Sequence, residues 1–259
     1  MIISCITLIM VFLTLAQFIT QHSIQGPFYF LGERFFDSTT PHLGKLGSLI
    51  RPFSLFPHAN ALAGFCLLLI LLSDLLNLNS FFKKLLIFSL FLTFSKTAIF
   101  TYFLVFILNT SLLQNFLISI VLSFLPFLDI NSISLNTRRF ILYTLPQFKF
   151  QDYLFGIGPK SFITRLPNLY PASNLSATTL QPLHNTPLLI LLELGLLPIL
   201  IIFHTLKFKI KNLKLLLSIL LLTGSLDHYW WTLPQNTLSF ILTFVLLFRY
   251  GLRRNSNTH

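Results

Sequence analysis

The sequence predicts an all-α protein, a polytopic membrane helix bundle of about eight transmembrane helices with a large extracytoplasmic loop. Of its 259 residues, 54% are hydrophobic and only 10% are charged, whereas soluble domains carry roughly 25% charged residues. The mean hydropathy is +0.77. The apolar residues also form long runs, which a soluble domain of this length could not bury.

Hydropathy places the predicted spans along the chain. They cover residues 2–20, 58–77, 79–95, 96–110, 112–129, 185–206, 212–226 and 236–250. The apolar stretch from 79 to 110 is divided at Ser95 and Lys96, because a lone Lys in the middle of a membrane helix costs roughly 3 kcal/mol and a Lys at a helix end costs little. Residues 1–259 are predicted to form a single integral membrane domain, which contains the loop 130–184.

The basic residues predict the orientation of these spans. Short cytoplasmic connections are enriched in Lys and Arg, and three groups of basic residues follow that pattern: Lys83 and Lys84; Lys207, Lys209, Lys211 and Lys214; Arg249, Arg253 and Arg254. Both termini are therefore predicted in the cytoplasm, with the segments 21–57 and 130–184 outside the cytoplasmic (inner or cell) membrane. The net charge is +11, and the basic residues that produce it flank apolar spans. We therefore expect the lipid bilayer as a partner and no nucleic acid.

The sequence shows no spacing that is typical of a metal or cofactor site. Cys5 and Cys66 both lie in apolar runs, where they form neither a disulfide framework nor a metal motif. The chain has no Asp-x-Asp pair and no carboxylate cluster for Mg²⁺. We therefore expect no metal and no cofactor, which argues against a transferase that uses nucleotide sugars.

The segment Gln181–Pro187 is the most informative part of the chain. A helix that starts here would have Asn185 or Thr186 as its N-cap and Pro187 in its first turn. His184 would then lie at the mouth of a membrane helix, beside an N-terminus that attracts anions. This arrangement suggests chemistry on a lipid-linked phosphate, and the alternative is a histidine in an interfacial loop.

The predicted topology places the notable polar residues on the outer face of the membrane. Arg51, His58 and Asn60 precede or begin the second span, Lys96 lies at an outer turn, and Arg138 and Arg139 lie in the large loop. His184 and Asn185 end that loop, and Asp227 and His228 lie in the last outer turn.

Four ordered motifs resemble the O-antigen ligase and O-antigen polymerase-like superfamily of lipid-linked glycan ligases. They are Arg51 with Pro57–Gly64, then Thr93–Ala98, then Arg138 ahead of Asp152–Phe162, and last Gln181–Asn185 followed by Glu193–Gly195. The resemblance implies a metal-free enzyme that moves a glycan from undecaprenyl-pyrophosphate to a hydroxyl of an acceptor glycan, glycolipid or protein, outside the membrane. It also implies further spans before the first residue, so we expect an N-terminally shortened member.

The chemistry of this reaction agrees with the residues that carry the resemblance. The enzyme must hold two phosphates and deprotonate an alcohol. Arg offers a planar fork for phosphate oxygens, and His titrates near neutral pH and suits a general base.

The resemblance assigns the roles residue by residue. His184 is the general base, and Arg138 with Arg51 binds pyrophosphate. Lys96 stands where the family usually has Arg. Two roles stay open for Arg139, a phosphate contact or solvation of the loop. The supporting residues are Asn185, Asn60, His58, Asp227 and His228.

Two other classes stay open. One is a transporter or flippase of a lipid-linked anion, which should show repeats and helices broken by Gly or Pro near the middle of the bilayer. The other is an inactive, truncated membrane scaffold. Glu193 lies about 13 Å along a helix from His184 at 1.5 Å per residue, so we expect a packing or polar-contact role for it.

The topology can be tested by cysteine labelling in a background with Cys5 and Cys66 replaced by Ser. A cysteine in the loop 130–184 should react with an impermeant reagent added to intact cells, and a cysteine near Lys209 should react only after the cells are opened. The reverse pattern would overturn the predicted orientation.

Overall fold

The computed structural model describes residues 2–37, 40, 42–43, 49–76, 78–127, 138–139, 141–169, 181–205 and 211–256. Within these residues the secondary structure is helical, apart from one isolated β-bridge between His42 and Ile50. The all-α prediction is therefore confirmed. The chain divides into two compact units, residues 1–109 with 235–259, and residues 110–234.

The first unit is built around one buried helix. Its elements are α1 (Ile2–Thr20), α2 (Pro27–Phe30), α3 (Ala59–Leu75), α4 (Ser80–Leu92), α5 (Lys96–Tyr102) with a π-helical turn (Phe103–Ile107), and a last helix, Pro234–Ser256, which begins at the boundary between the units. Nearly every residue of α3 is buried, and it packs against α4 and α5, while α1 packs against α4. The predicted division of 79–110 is confirmed, because α4 ends at Leu92 and Lys96 begins α5.

A buried polar cluster holds the segment between α1 and α3. Glu33 is only 2% exposed, and its carboxylate accepts hydrogen bonds from the backbone N–H groups of Ile24 and Gln25 and from the side chain of Gln17. Gln17 in turn accepts hydrogen bonds from the backbone of Phe53 and Ser54. These bonds satisfy a buried carboxylate and fix the path of the chain into α3.

The second unit contains helices of the predicted outer loop and of the predicted spans on either side of it. Its elements are α6 (Leu112–Ser123) with a 3₁₀ turn (Leu125–Phe127), a second 3₁₀ turn (Leu145–Gln147), α7 (Phe150–Phe155), α8 (Phe162–Leu169), α9 (Thr186–Leu194), α10 (Leu196–Thr205), α11 (Lys211–Gly224) and α12 (Tyr229–Thr232). We number the last helix, Pro234–Ser256, α13. α6 packs against α11, and α9 contacts α7, α8 and α10 to α12.

The predicted span 185–206 is wrong as a single helix. The chain breaks at Gly195, whose φ of 83° lies in the left-handed region that favours glycine. The break lets the loop after α7 cross the end of α9, where the N–H groups of Ile157 and Gly158 donate to the carbonyls of Leu192 and Glu193, both at 3.0 Å. A Cβ on Gly156 would lie 2.5 Å from the Glu193 carbonyl oxygen, and a Cβ on Gly195 would collide with the backbone of Phe155 and Gly156.

The buried side chain of Glu193 stabilises this crossing through hydrogen bonds. It is 3% exposed, and its carboxylate accepts hydrogen bonds from the backbone N–H of Lys160 (2.6 Å) and Phe162 (3.1 Å) and from the indole N–H of Trp231 (2.6 Å). The expected polar-contact role of Glu193 is therefore confirmed. Its three bonds connect α8, α9 and α12.

Among the described residues, one helix, Ile3–Thr20, is long and apolar enough to cross a membrane by itself. Four shorter apolar helices are Ala59–Leu75, Lys96–Ile107, Leu112–Phe127 and Asn212–Gly224. The predicted single domain over 1–259 stays a prediction. Lys207, Lys209 and much of the loop 130–184 lie outside the described residues.

The close crossing at Gly195 can be tested with a matched control. Gly195→Ala adds a methyl group against backbone and forces a left-handed conformation, so it should destabilise the protein strongly. Gly26→Ala meets no atom within 4 Å at a similar φ of 61° and should cost only the backbone strain, about 1–3 kcal/mol. Thermal unfolding of the purified protein, followed by circular dichroism, measures both. Equal losses would contradict the close crossing.

Candidate functional site

His184 is held at the start of α9 by the residue that follows it. Asn185 is the N-cap, since its Oδ1 accepts a hydrogen bond from the N–H of Leu188 at 3.0 Å, as predicted. Its Nδ2 donates to Ser123 Oγ at 2.7 Å and to the Ser225 carbonyl at 3.2 Å. Asn185 therefore caps α9 and fixes the backbone next to His184.

The turn after α11 brings a second histidine to His184. The N–H and hydroxyl of Thr186 donate to the Asp227 carbonyl at 3.2 and 2.7 Å. This contact aligns the start of α9 with the segment Asp227–His228. The rings of His184 and His228 then meet with centroids 4.5 Å apart and an angle of 60° between their planes.

Hydrogen bonds fix the tautomer of His228. The Thr232 hydroxyl donates its one proton to the His228 carbonyl at 3.0 Å. Thr232 Oγ1 also lies 2.6 Å from His228 Nδ1, and with the hydroxyl proton on the carbonyl, Nδ1 is the donor in that contact. In the neutral ring, the lone pair is therefore on Nε2.

The tautomer of His184 follows in the same way. Its Nε2 lies 3.0 Å from Gln181 Oε1, an amide oxygen that only accepts. Nε2 therefore carries the proton, and the neutral ring has its lone pair on Nδ1, which is buried. Nδ1 is the nitrogen that can take a proton.

Arg138 and Asp227 set the charge around the two rings. Burial lowers the pKa of Arg138, and Asp227 acts in the opposite direction. Burial also lowers the pKa of His228; Asp227 opposes this, and Arg138 lowers the pKa further. Burial and Arg138 therefore favour the neutral ring of His228. The buried Nε of Arg138 has no hydrogen-bond partner among the described residues.

One ligand atom from each of His184, Asp227 and His228 lies within 4.8 Å of the other two. Asp227 Oδ1 also accepts a hydrogen bond from the His228 N–H at 2.8 Å. The structure therefore brings together four of the predicted site residues, Arg138, His184, Asp227 and His228, in the second unit. Arg139 adjoins Arg138 on the same short helical segment and is half-buried.

The remaining predicted residues belong to the first unit. Arg51 donates from Nε to the Thr93 carbonyl at 2.9 Å and from Nη2 to Asn60 Oδ1 at 2.7 Å. It therefore connects the end of α4 to the start of α3. His58 is the N-cap of α3 and accepts from the Asn60 N–H at 3.1 Å. Lys96 is exposed at the first position of α5.

Sequence reasoning missed three side chains that shape these groups. Gln181 and Thr232 determine the tautomers of the two histidines. Thr232 could have been found from its spacing, because it follows His228 by four residues, a distance at which helical side chains meet. Gln181 precedes α9 and lies outside any helix, so helical spacing gives no signal for it. Arg34 donates to the Pro57 carbonyl at 3.1 Å, next to His58, and no motif marked it.

No protein-family model, no curated protein and no solved structure matches this chain.

Proposed function

We propose that this protein is a membrane glycosyltransferase of the O-antigen ligase or polysaccharide polymerase type. It transfers a glycan from undecaprenyl-pyrophosphate to an acceptor hydroxyl on the outer face of the cytoplasmic membrane. The observation that carries the proposal is the group in the second unit. There a histidine with a defined lone-pair nitrogen lies beside a second, neutral histidine, with a buried guanidinium and a carboxylate close by.

His184 acts as the general base on the acceptor. Nδ1 takes the proton of the acceptor hydroxyl while the oxygen attacks the anomeric carbon, and the bond from that carbon to the pyrophosphate oxygen breaks. The Gln181 amide keeps the imidazole in the required tautomer through Nε2. Undecaprenyl-pyrophosphate leaves as the second product.

Asp227 and His228 support the charged form of His184. A protonated imidazole beside a second charged imidazole would be unfavourable, and burial and Arg138 both lower the pKa of His228, which favours its neutral form. The carboxylate of Asp227 lies within 4.8 Å of a ring nitrogen of His184, so it favours the imidazolium that forms during proton transfer.

Arg138 holds the pyrophosphate of the donor. A buried guanidinium is costly unless an anion pairs with it, and its fork matches two phosphate oxygens. Arg139 adjoins it as a second cation. Arg51 and Lys96 of the first unit are proposed as further phosphate ligands; Arg51 also donates to the Thr93 carbonyl and to Asn60, and Lys96→Arg tests the second position.

The membrane topology is part of the proposal. We propose about eight spans, with both termini in the cytoplasm and the loop 130–184 outside. The outward-facing apolar side chains support it, because α1, α6 and α13 expose large hydrophobic residues that lipid would cover, among them Ile6, Leu8, Phe12, Leu113, Val121, Leu238 and Leu242.

One observation favours the transporter alternative. The break at Gly195 beside buried Glu193 resembles the broken helices of secondary transporters. However, the Glu193 carboxylate is engaged by three N–H donors, so its place in the fold is explained by structure. A flippase would move the lipid-linked glycan across reconstituted vesicles without joining it to an acceptor, and a scaffold would do neither.

His184→Ala should reduce glycan transfer by about 10²–10⁴-fold, the usual worth of general-base assistance. Expression, membrane insertion and binding of undecaprenyl-pyrophosphate should survive, since Arg138 holds the donor. The assay is transfer of a lipid-linked glycan in reconstituted membranes, with His204→Ala as the matched control that retains activity. Equal transfer by His184→Ala and the parent would remove His184 from the mechanism, and no transfer by the inserted parent would favour a scaffold.

Arg138→Lys keeps a charge and loses the fork, so it should weaken donor binding and slow transfer in a normally inserted protein. Lys96→Arg provides a fork at the position where the resemblance expects one, and its activity should be equal to or above that of the parent. Donor binding and transfer are measured on the same preparations. A wild-type rate in stably inserted Arg138→Ala would exclude Arg138 as a donor ligand.

A further inference from the structure

We propose that His184, Asp227 and His228 form a binding site for a divalent transition-metal ion of the Zn²⁺ type, and that the bound ion inhibits transfer. The metal binding stands on the geometry of the three residues alone. Only the inhibition rests on the proposed function.

The three ligand groups lie near one another but not yet at the spacing of a bound ion. One atom from each lies within 4.8 Å of the others. A tetrahedral Zn²⁺ with bonds of about 2.0–2.1 Å holds its ligand atoms about 3.4 Å apart. The ligand atoms would therefore have to approach one another by up to about 1.4 Å to bind one ion.

The hydrogen bonds around the histidines are those that metal sites use. A ligating imidazole donates its other ring N–H to an oxygen acceptor, which fixes the tautomer and the ring orientation. Gln181 Oε1 accepts from His184 Nε2 and Thr232 Oγ1 accepts from His228 Nδ1. In a neutral ring with these contacts, the other ring nitrogen carries the lone pair, and a metal ion would bind there.

The chemistry of the ligands selects the ion. Two imidazoles and a carboxylate suit Zn²⁺, Co²⁺ or Ni²⁺ and do not suit Mg²⁺ or Ca²⁺, which prefer oxygen ligands. Three protein ligands leave a position for water or an anion. Arg138 is close enough to influence Asp227 and His228, and its positive charge opposes the ion. The site should therefore bind an exchangeable metal and not a permanently held one.

A bound metal would block the proposed base. The lone pair of His184 can accept either an acceptor proton or a metal ion. Occupancy by the metal therefore removes the base, and chelation restores it without any change in the protein.

The test uses the full chain purified in detergent and titrated with Co²⁺, whose visible absorption reports tetrahedral coordination, with Zn²⁺ as competitor. We expect saturable binding at one site per chain. Asp227→Asn keeps the side-chain shape, and it should weaken binding at least about tenfold, as should His228→Gln and His184→Ala. Gln181→Leu should weaken it by about 10–100-fold through loss of the supporting bond. Arg138→Gln should tighten it, and His204→Ala should leave it unchanged.

The outcomes separate metal binding from the transferase proposal. No saturable Co²⁺ or Zn²⁺ binding, or binding that is equal in the parent, Asp227→Asn and His228→Gln, would overturn the site. Circular dichroism of Asp227→Asn checks that the variant is folded. If the site binds metal but Zn²⁺ leaves transfer unchanged, the inhibition is wrong and the metal site stands. If His184→Ala loses metal but keeps transfer, the general-base role falls and the metal site stands.

Discussion

The hydrogen bonds from Thr186 to the Asp227 carbonyl are the contact on which the candidate site depends. They bring the first turn of α9 against the end of α11, and Asn185 reinforces the contact through the Ser225 carbonyl. Without this contact, the two histidines would belong to separate elements with no reason to meet. The site is thus assembled by hydrogen bonds from small polar side chains to backbone carbonyls, and the histidines contribute little to holding it together.

Burial gives these few polar groups their chemical properties. An exposed arginine and an exposed histidine would keep their ordinary pKa values and would be screened by water. Here burial lowers the pKa of both Arg138 and His228, and Asp227 is the carboxylate that counteracts it. One carboxylate lies close to several side chains that can carry a positive charge. The protonation of these side chains should therefore respond to any ligand that changes the local charge, whether a phosphate or a metal ion.

Much of the fold was predictable because long apolar runs bounded by charges give helices in a regular order. The division at Lys96 and the N-cap at Asn185 followed from the cost of a buried charge and from capping chemistry. The break at Gly195 did not, since a glycine inside an apolar run also fits a continuous helix and its partner, Gly156, lies far away in the chain. The resemblance grouped Asp227 and His228 with His184, but their direct contact could not be predicted, because a tertiary contact through one carbonyl leaves no periodic pattern.

The crossing of the loop 156–162 over the end of α9 limits which residues can change independently during evolution. A Cβ on Gly156 or on Gly195 would collide with the backbone of the other segment. The Glu193 carboxylate accepts hydrogen bonds from N–H groups of Lys160, Phe162 and Trp231. A change at one of the two glycines cannot be absorbed locally, and loss of the donors would leave a buried negative charge. We therefore expect these positions to covary, so that sequences related to this chain retain or lose them together.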